Sequence, residues 1–293
     1  MATQARWVMG TLLKVTIDAP AAPGPIFRRA FAEVDALDRL LSTYRPQSAL
    51  SELNRRSPLS NASVDQRLHA ILRRCVAYSE ATAGAFDITV GPLMRLYRDQ
   101  GPPTAAQIAR SLAQVGFRGI VLTGRDRLSF TKSLRLDAGG IGKGLAVDAM
   151  VAVLARAGVK RAFIDFGSSS FYGLGAPRGQ RGWPVQVAPS GASKPLSNDI
   201  VYLRDRALSS SRSFRVDGAG RTVFHIVDPR SGAQIKKRRY AVVISSSGTD
   251  AEVWSTALVV DPALRKRAPR GLLITIGPDQ IESANGGVAK HGE

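Results

Sequence analysis

A carboxylate and a hydroxyl stand four residues apart near the end of the sequence, at Glu252 and Thr256. Residues 249–260 are predicted to form a helix, which places both side chains on one helical face. Oxygen ligands of this type suit Mg²⁺, which commonly takes one or two protein oxygens and completes its sphere with substrate phosphates. Spacing alone leaves a structural alternative open, since Thr249 and Glu252 also have the spacing of a capping box that closes the helix start.

A second candidate for chemistry is the glycine-rich sequence LDAGGIGKG at residues 136–144. A strand is predicted over residues 133–136 and a helix from the last glycines to Gly158, so backbone N–H groups would converge at a positive helix end beside Lys143. This pattern predicts a phosphate-binding loop, although its spacing matches neither a P-loop nor a dinucleotide-binding motif. Close packing of a helix on a sheet is the structural alternative.

Three further polar residues could contact an anionic ligand. His225 precedes an Asp-Pro-Arg turn in a basic context, where an imidazole could donate to phosphate or make a structural hydrogen bond. Asp87 and Thr89 alternate with apolar residues in GAFDITVGPL, a pattern that fits a backbone-fixing turn as well as ligand contact. The sequence therefore leaves both interpretations open for each of them.

The composition bounds the class of protein. The chain has 293 residues, 44% of them hydrophobic, and a single cysteine, Cys75, which excludes an internal disulfide framework and a cysteine-based zinc site. The formal charge of +18 raises nucleic acid as a partner, but basic residues are spread along the chain and aromatic content is only 6%, so no nucleic-acid function is expected. A basic surface that attracts anionic substrates is the simpler explanation.

No apolar run reaches the length of a membrane span, so no transmembrane segment is predicted. Residues 1–6 lack the pattern of a signal peptide, and the sequence as written predicts a cytoplasmic protein. An exported form is the alternative if a leader was removed before this chain was defined.

The elements that must position these residues are helices and strands without regular βαβ alternation. Amphipathic patterns predict strands at 11–17, 161–166, 240–245 and 271–276, and helices at 26–41 and 249–260. Two more helices are predicted to start at the capping boxes Ser63/Gln66 and Thr104/Gln107. We therefore expect an α+β fold with mixed or antiparallel sheets and packed helices, in a single domain over residues 1–293 with one or two lobes.

Taken together, six motifs resemble the FAD:protein FMN transferase (ApbE) family, over roughly residues 9–276. They are MGT at residue 9, STYRPQSALSELN, GAFDITVGPL, LDAGGIGKGLAVD, HIVDPRSG and EVWSTAL, in the family's order. The resemblance implies a T-fold-related architecture with a central flavin cleft. It also implies a Mg²⁺-dependent enzyme that splits FAD, transfers FMN to a Ser or Thr hydroxyl of an acceptor protein and releases AMP. Hydrolysis of FAD to FMN and AMP, or flavin binding without catalysis, are the alternatives.

The resemblance also implies roles for residues around the reacting phosphates. The Mg²⁺ ligands would be the Gly140 carbonyl, the side chains of Glu252 and Thr256, and the Ser255 carbonyl. Lys143 and His225 would act with Glu252 in catalysis.

The rest of the implied pocket binds FAD. Gly139 and Gly140 would lie with Lys143 and His225 along the phosphates. The adenine and ribose side is assigned to Met9, Tyr44 and Asp148, and the flavin side to Asp87 and Thr89.

The chain departs from the family pattern at three places. Glu252 stands where the family usually has Asp, so the carboxylate carries one more methylene. A Gly-Gly-Asp pattern is replaced by Gly167-Ser168-Ser169, and Arg212 stands where a turn glycine is common. These departures bear on reaction rate and acceptor specificity more than on fold or flavin binding.

Overall fold

A computed structural model describes residues 1–18, 23–99, 102–187 and 200–278. Its strands are β1 (Ala2–Val8), β2 (Thr11–Ile17), β3 (Ala62–Ser63), β4 (Ile120–Thr123), β5 (Arg127–Phe130), β6 (Ala162–Phe166), β7 (Ser170–Leu174), β8 (Trp183–Gln186), β9 (Ile200–Leu203), β10 (Arg206–Arg212), β11 (Phe214–Val216), β12 (Thr222–Phe224), β13 (Arg239–Ser245) and β14 (Leu273–Pro278). Its α-helices are α1 (Gly24–Leu41), α2 (Ala49–Arg56), α3 (Gln66–Ala81), α4 (Gly91–Asp99), α5 (Ala105–Leu112), α6 (Gly142–Arg156) and α7 (Gly248–Val260).

The centre of the fold is a seven-stranded sheet in the order β1-β2-β6-β7-β10-β13-β14. Every neighbouring pair in it is antiparallel. Smaller sheets pair β3, β5 and β4, β8 with β9, and β11 with β12. The predicted α+β class with antiparallel sheets and packed helices is confirmed.

The main core lies between the large sheet and helices α1, α6 and α7. Helix α7 contacts β10, β13 and α6, and α6 in turn contacts α1. Trp254 of α7, Phe27 of α1 and Phe166 of β6 are each at most 1% exposed. Because α7 is buried on almost every side, its polar residues must find partners inside the protein. Among the described residues, no helix has the length and apolarity needed to cross a bilayer.

Two glycines allow α6 and α7 to touch at their starts. A Cβ built on Gly144 would overlap the carbonyl group of Gly248, lying 2.7 Å from its carbon and the same distance from Thr249 Cα. A Cβ on Gly248 would in turn lie 3.0 Å from the Gly144 oxygen. Real side chains do not tolerate an approach of 2.7 Å, so the last glycine of the glycine-rich sequence allows α6 to pack on α7, whereas the structural alternative expected a helix on a sheet.

The structure corrects several predicted elements. Residues 133–136 form no strand, and only Arg135 makes an isolated bridge, to Val90. The cap of α3 is the Asp65 side chain, which accepts from Arg67 N and Leu68 N, whereas Ser63 lies in β3. The predicted capping box at Thr104 is confirmed.

Candidate active site

Two adjoining cavities form one cleft in front of α6. The first, of about 560 Å³, is called the Glu252 chamber, and its lining includes Asp87, Gly140, Ser211, Glu252 and Thr256. The second, of about 700 Å³, is called the Tyr44 chamber, and its lining includes Trp7, Met9, Tyr44, Arg98 and Arg215. Both chambers share a wall made of Met94, Asp137, Gly139, Lys143, His225 and Val227. Volumes of this size hold small-molecule ligands, and the cleft could hold an elongated one with its middle at the shared wall.

Glu252 lies at the meeting point of the two helices. Its carboxylate reaches from α7 to the first turn of α6, where it accepts from Lys143 Nζ at 2.5 Å and from the Gly144 N–H at 2.6 Å. The side chain is 3% exposed. A buried carboxylate is stabilised there by a cation, a hydrogen bond and the positive end of a helix.

The structure shows that Glu252 does not cap its own helix. The cap of α7 is Ser247, whose side chain accepts from Asp250 N. Thr249 donates instead to Asp148, through Oγ1 at 2.6 Å and through N at 3.0 Å. Of the two alternatives that the spacing left open, the capping box of Thr249 and Glu252 is therefore not formed, and the carboxylate is directed to α6 and the chamber.

Asp148 makes structural hydrogen bonds between two helices and does not line the cleft. Its carboxylate accepts from Ser247 Oγ, Gly248 N and both donors of Thr249, at 2.6–3.0 Å. It lines neither chamber. In this structure Asp148 joins α6 to the start of α7, and it is not placed on the adenine and ribose side to which the resemblance assigned it.

Three of the four residues predicted to hold a cation, Gly140, Glu252 and Thr256, line the Glu252 chamber. A Cβ built on Gly140 would lie 3.6 Å from Thr256 Cγ2, so the loop packs directly on α7. Thr256 is half-buried, and its hydroxyl lies 3.3 Å from Ser211 Oγ. Ser255 is fully buried below the chamber, where its hydroxyl bonds Ser209 and Ser211.

This donor set fits Mg²⁺ in its chemistry. The described residues contain no cluster of three or more His, Cys, Asp or Glu side chains that could hold a metal ion, so a cation here would depend on the Glu252 carboxylate with hydroxyl and carbonyl oxygens. Mg²⁺ is commonly bound in this way, through one or two carboxylates plus substrate phosphates, and not by a complete protein cage.

The shared wall carries the positive charge and the hydrogen-bond donors. Lys143 lies beside the Gly139–Gly140 backbone, and Asp137 fixes this loop by accepting from Gly139 N at 2.8 Å. Burial by neighbouring protein atoms lowers the pKa of His225, and the nearby charges of Arg215 and Lys143 lower it further. An unprotonated imidazole at neutral pH can donate from one ring nitrogen and accept at the other. The structure therefore places Lys143 and His225 where an anion could bind between the chambers.

The Tyr44 chamber contains two of the three residues predicted on the adenine and ribose side, Met9 and Tyr44. Tyr44 is 80% exposed, and its ring lies 5.5 Å from the Arg98 guanidinium, which also donates to its hydroxyl. Met9 forms the β1–β2 turn with Gly10 and has a φ of +49°, an uncommon conformation for a side chain of its size. Aromatic and thioether surfaces at this place could pack against a planar base.

The comparisons with known proteins agree with this arrangement. The sequence model of the ApbE family matches residues 9–268. The chain belongs to the ApbE family. It is 31% identical over 269 residues to the FAD:protein FMN transferase of Salmonella typhimurium, covering 86% of this chain and 76% of that protein. The Escherichia coli K12 protein of the same name is 27% identical over 271 residues, with the same coverage.

Solved structures show the same fold. The apo flavinyl transferase ApbE of Pseudomonas stutzeri superposes with a TM-score of 0.81 at 26% identity, covering 93% of this chain and 89% of its own. The ApbE protein of Thermotoga maritima superposes with a TM-score of 0.82 at 22% identity and 94% and 96% coverage. The ApbE resemblance found in the sequence is thereby confirmed.

Within this ApbE chain, Asp87 and Thr89 have different places. Asp87 lines the Glu252 chamber and accepts from Thr89 N, Thr89 Oγ1 and Phe117 N, at 2.7–2.9 Å. Burial raises the pKa of the Asp87 carboxyl in spite of these bonds. Thr89 is fully buried, lines neither chamber and accepts from Gly116 N through its hydroxyl. Thr89 thus fixes the turn that presents Asp87.

The departures from the ApbE pattern all face the Glu252 chamber. Ser168 and Ser169 line it, with Ser168 at a φ of +51°, and Arg212 lies in the same lining. Strand β10 continues through Arg212, which pairs with Tyr240, so no turn requires glycine there.

Sequence reasoning gave no role to Asp137, Met94 or Arg215, which also line the cleft. Asp137 has the clearest signal that could have found it. It stands two residues before Gly139, a spacing at which its carboxylate can accept from the glycine backbone.

Proposed function

We propose that this chain is an FAD:protein FMN transferase that binds FAD across the two chambers, with the pyrophosphate at the wall they share. The observation that carries the proposal is this wall, where Lys143, His225 and the glycine backbone lie between the Tyr44 chamber and the Glu252 chamber. The curated relatives of the same family carry the name of this activity. The AMP half is assigned to the Tyr44 chamber and the FMN half to the Glu252 chamber.

The transfer step moves a phosphoryl group. A Ser or Thr hydroxyl oxygen of the acceptor protein attacks the phosphorus of the FMN half, the bond from that phosphorus to the bridging oxygen breaks, and AMP leaves with the bridging oxygen. Lys143 donates to a non-bridging oxygen, and the unprotonated imidazole of His225 accepts the proton that the attacking hydroxyl loses. Positioning and charge stabilisation are the main contributions that proteins make to such reactions.

Mg²⁺ would be held by Glu252, Thr256 and the Gly140 carbonyl. When bound, it supplies Lewis-acid neutralisation of the charge that develops on phosphate oxygens. The buried position of Glu252 supports this assignment, because a carboxylate with little water around it interacts more strongly with a cation.

The test is AMP release from FAD, followed with Mg²⁺ present, with and without an acceptor protein that a characterised FMN transferase modifies. We expect AMP and an acceptor mass gain of one FMN, both dependent on the acceptor. AMP without an acceptor would instead support the hydrolase alternative. Absence of AMP under both conditions would contradict both enzymatic functions and leave flavin binding without catalysis.

A further inference from the structure

The Lys143–Glu252 pair has a geometry that bears on how the proposed cation enters. Lys143 Nζ lies 2.5 Å from Glu252 Oε1, while Gly144 N lies 2.6 Å from Oε2. The Glu252 side chain is 3% exposed and that of Lys143 is 26% exposed. The carboxylate is therefore anchored on one oxygen by backbone and held on the other by a flexible, partly solvated ammonium.

An ammonium and a divalent cation would repel each other strongly at the same carboxylate oxygen. Mg²⁺ binds oxygen at about 2.0–2.1 Å and demands near-octahedral ligands, which leaves little room beside Oε1 for Lys143 Nζ. The repulsion energy of two positive charges a few ångströms apart is several times larger in a partly buried site than in water. Oε1 can therefore bind the Lys143 ammonium or the cation, but it cannot bind both at full strength.

We propose that Lys143 is a displaceable occupant of the cation site: its ammonium neutralises Glu252 while the site holds no divalent cation, and turns away from Glu252 toward His225 when the cation binds. This inference rests on the proposed function. It adds an order to the binding events, because the ammonium becomes available to a phosphate only after it has left Glu252.

The position of each partner supports an exchange. Gly144 N stays on Oε2, so the carboxylate keeps its place when Lys143 leaves. Lys143 lines both chambers, and its four-carbon stem lets the ammonium turn toward His225 without moving α6. The buried charge of Glu252 is compensated in both arrangements, which avoids the cost of an unpaired buried carboxylate.

The test is the affinity for Mg²⁺ without FAD, measured by isothermal titration calorimetry on the full chain. Lys143→Met removes the competing ammonium, so we expect Mg²⁺ to bind about tenfold more tightly or better, since a hydrogen bond to a charged group contributes about that factor. Lys160→Met is the matched control, because Lys160 is exposed and makes no hydrogen bond or ion pair among the described residues. It removes the same net charge and should change the affinity less than about twofold.

A measurement on the wild type avoids dependence on a variant's folding. Labelling by an amine-reactive reagent, followed by peptide mass spectrometry, should increase at Lys143 when Mg²⁺ is added without FAD, and stay constant at Lys160. Equal Mg²⁺ affinity of wild type and Lys143→Met, or unchanged labelling of Lys143 at saturating Mg²⁺, would overturn the exchange and leave the proposed function standing. Absence of Mg²⁺ binding in both proteins would overturn the exchange together with the Mg²⁺ part of the proposed function.

Discussion

Replacing Glu252 by Ala removes a buried charge that joins two helices, so we expect a loss of stability as well as activity. The carboxylate accepts two charge-assisted hydrogen bonds, from Lys143 and Gly144, and Glu252 is 2% exposed. Breaking a buried pair on one side typically costs about 3–5 kcal/mol. Lys143 is partly solvated and recovers some hydration, which reduces our expectation to about 2–4 kcal/mol.

The assay is thermal unfolding, monitored by circular dichroism without FAD or divalent cations. For a chain of 293 residues, the expected loss corresponds to a decrease in Tm of about 3–7 °C. Glu33→Ala is the matched control, since Glu33 also accepts from a basic side chain, Arg67, but both partners are more than a third exposed. That exposed pair should contribute less than about 1 kcal/mol.

A second variant separates stability from catalysis. Thr256→Val removes a hydroxyl that lies 3.3 Å from Ser211 Oγ, a long hydrogen bond, so its effect on Tm should be below about 2 °C. We expect both Glu252→Ala and Thr256→Val to lose Mg²⁺-dependent AMP release. If Glu252→Ala melted within 2 °C of the wild type, the argument that this carboxylate holds α6 against α7 would be refuted.

Three further variants test neighbouring parts of the site. Gly144→Ala should lower the free energy of unfolding, measured by urea denaturation, by about 1–3 kcal/mol, because the added Cβ would overlap Gly248. A gain of about 1 kcal/mol, as expected for Ala in a solvent-exposed helix, would contradict this packing. Asp148→Asn should lower the free energy of unfolding by about 2–3 kcal/mol, since the amide cannot accept all the hydrogen bonds that the carboxylate accepts. The Kd for FAD should stay unchanged. A tenfold weaker affinity for FAD would instead support the predicted contact of Asp148 with the ribose. An anionic ligand should raise the lowered pKa of His225, so FAD should bind with proton uptake, and its affinity should rise as the pH falls through the pKa of His225 in the complex. Calorimetry in two buffers would detect the proton, and His225→Gln should abolish its uptake.

Several of the predicted elements that proved correct have one buried face. Strand β2 alternates between buried and exposed positions, and such alternation is visible in sequence. Strand β1 was not predicted because it is an edge strand, mostly exposed on both faces. Helix α4 was not predicted because Gly91-Pro92 resembles a turn, although proline fits the first turn of a helix.

The incorrect strand at residues 133–136 shows the limit of the same signal. Leu134 and Leu136 are buried and alternate with exposed or half-buried neighbours, as in a strand. Their backbone, however, pairs at only one position, Arg135 with Val90. Alternation reports which side chains are buried, while a ladder also requires a partner strand in register.

The residue types of the site were predictable, but their pairings were not. Glycines beside a lysine, and a carboxylate four residues from a hydroxyl, restrict the chemistry to anions and hard cations. Whether Glu252 closes its own helix or reaches another depends on how α7 packs. That packing is set by Gly144 and Gly248, more than 100 residues apart in sequence.

The same two helices therefore carry both the fold and the proposed chemistry. Asp148 extends from α6 to the start of α7, and Glu252 extends from α7 to the start of α6, so two carboxylates cross the junction in opposite directions. Only Glu252 lines a chamber. A change at Asp148 should thus move the helices and reduce stability first, whereas a change at Glu252 should affect cation binding even at temperatures where the fold is intact. Comparing the two variants well below their Tm separates the structural role of this junction from its role in catalysis.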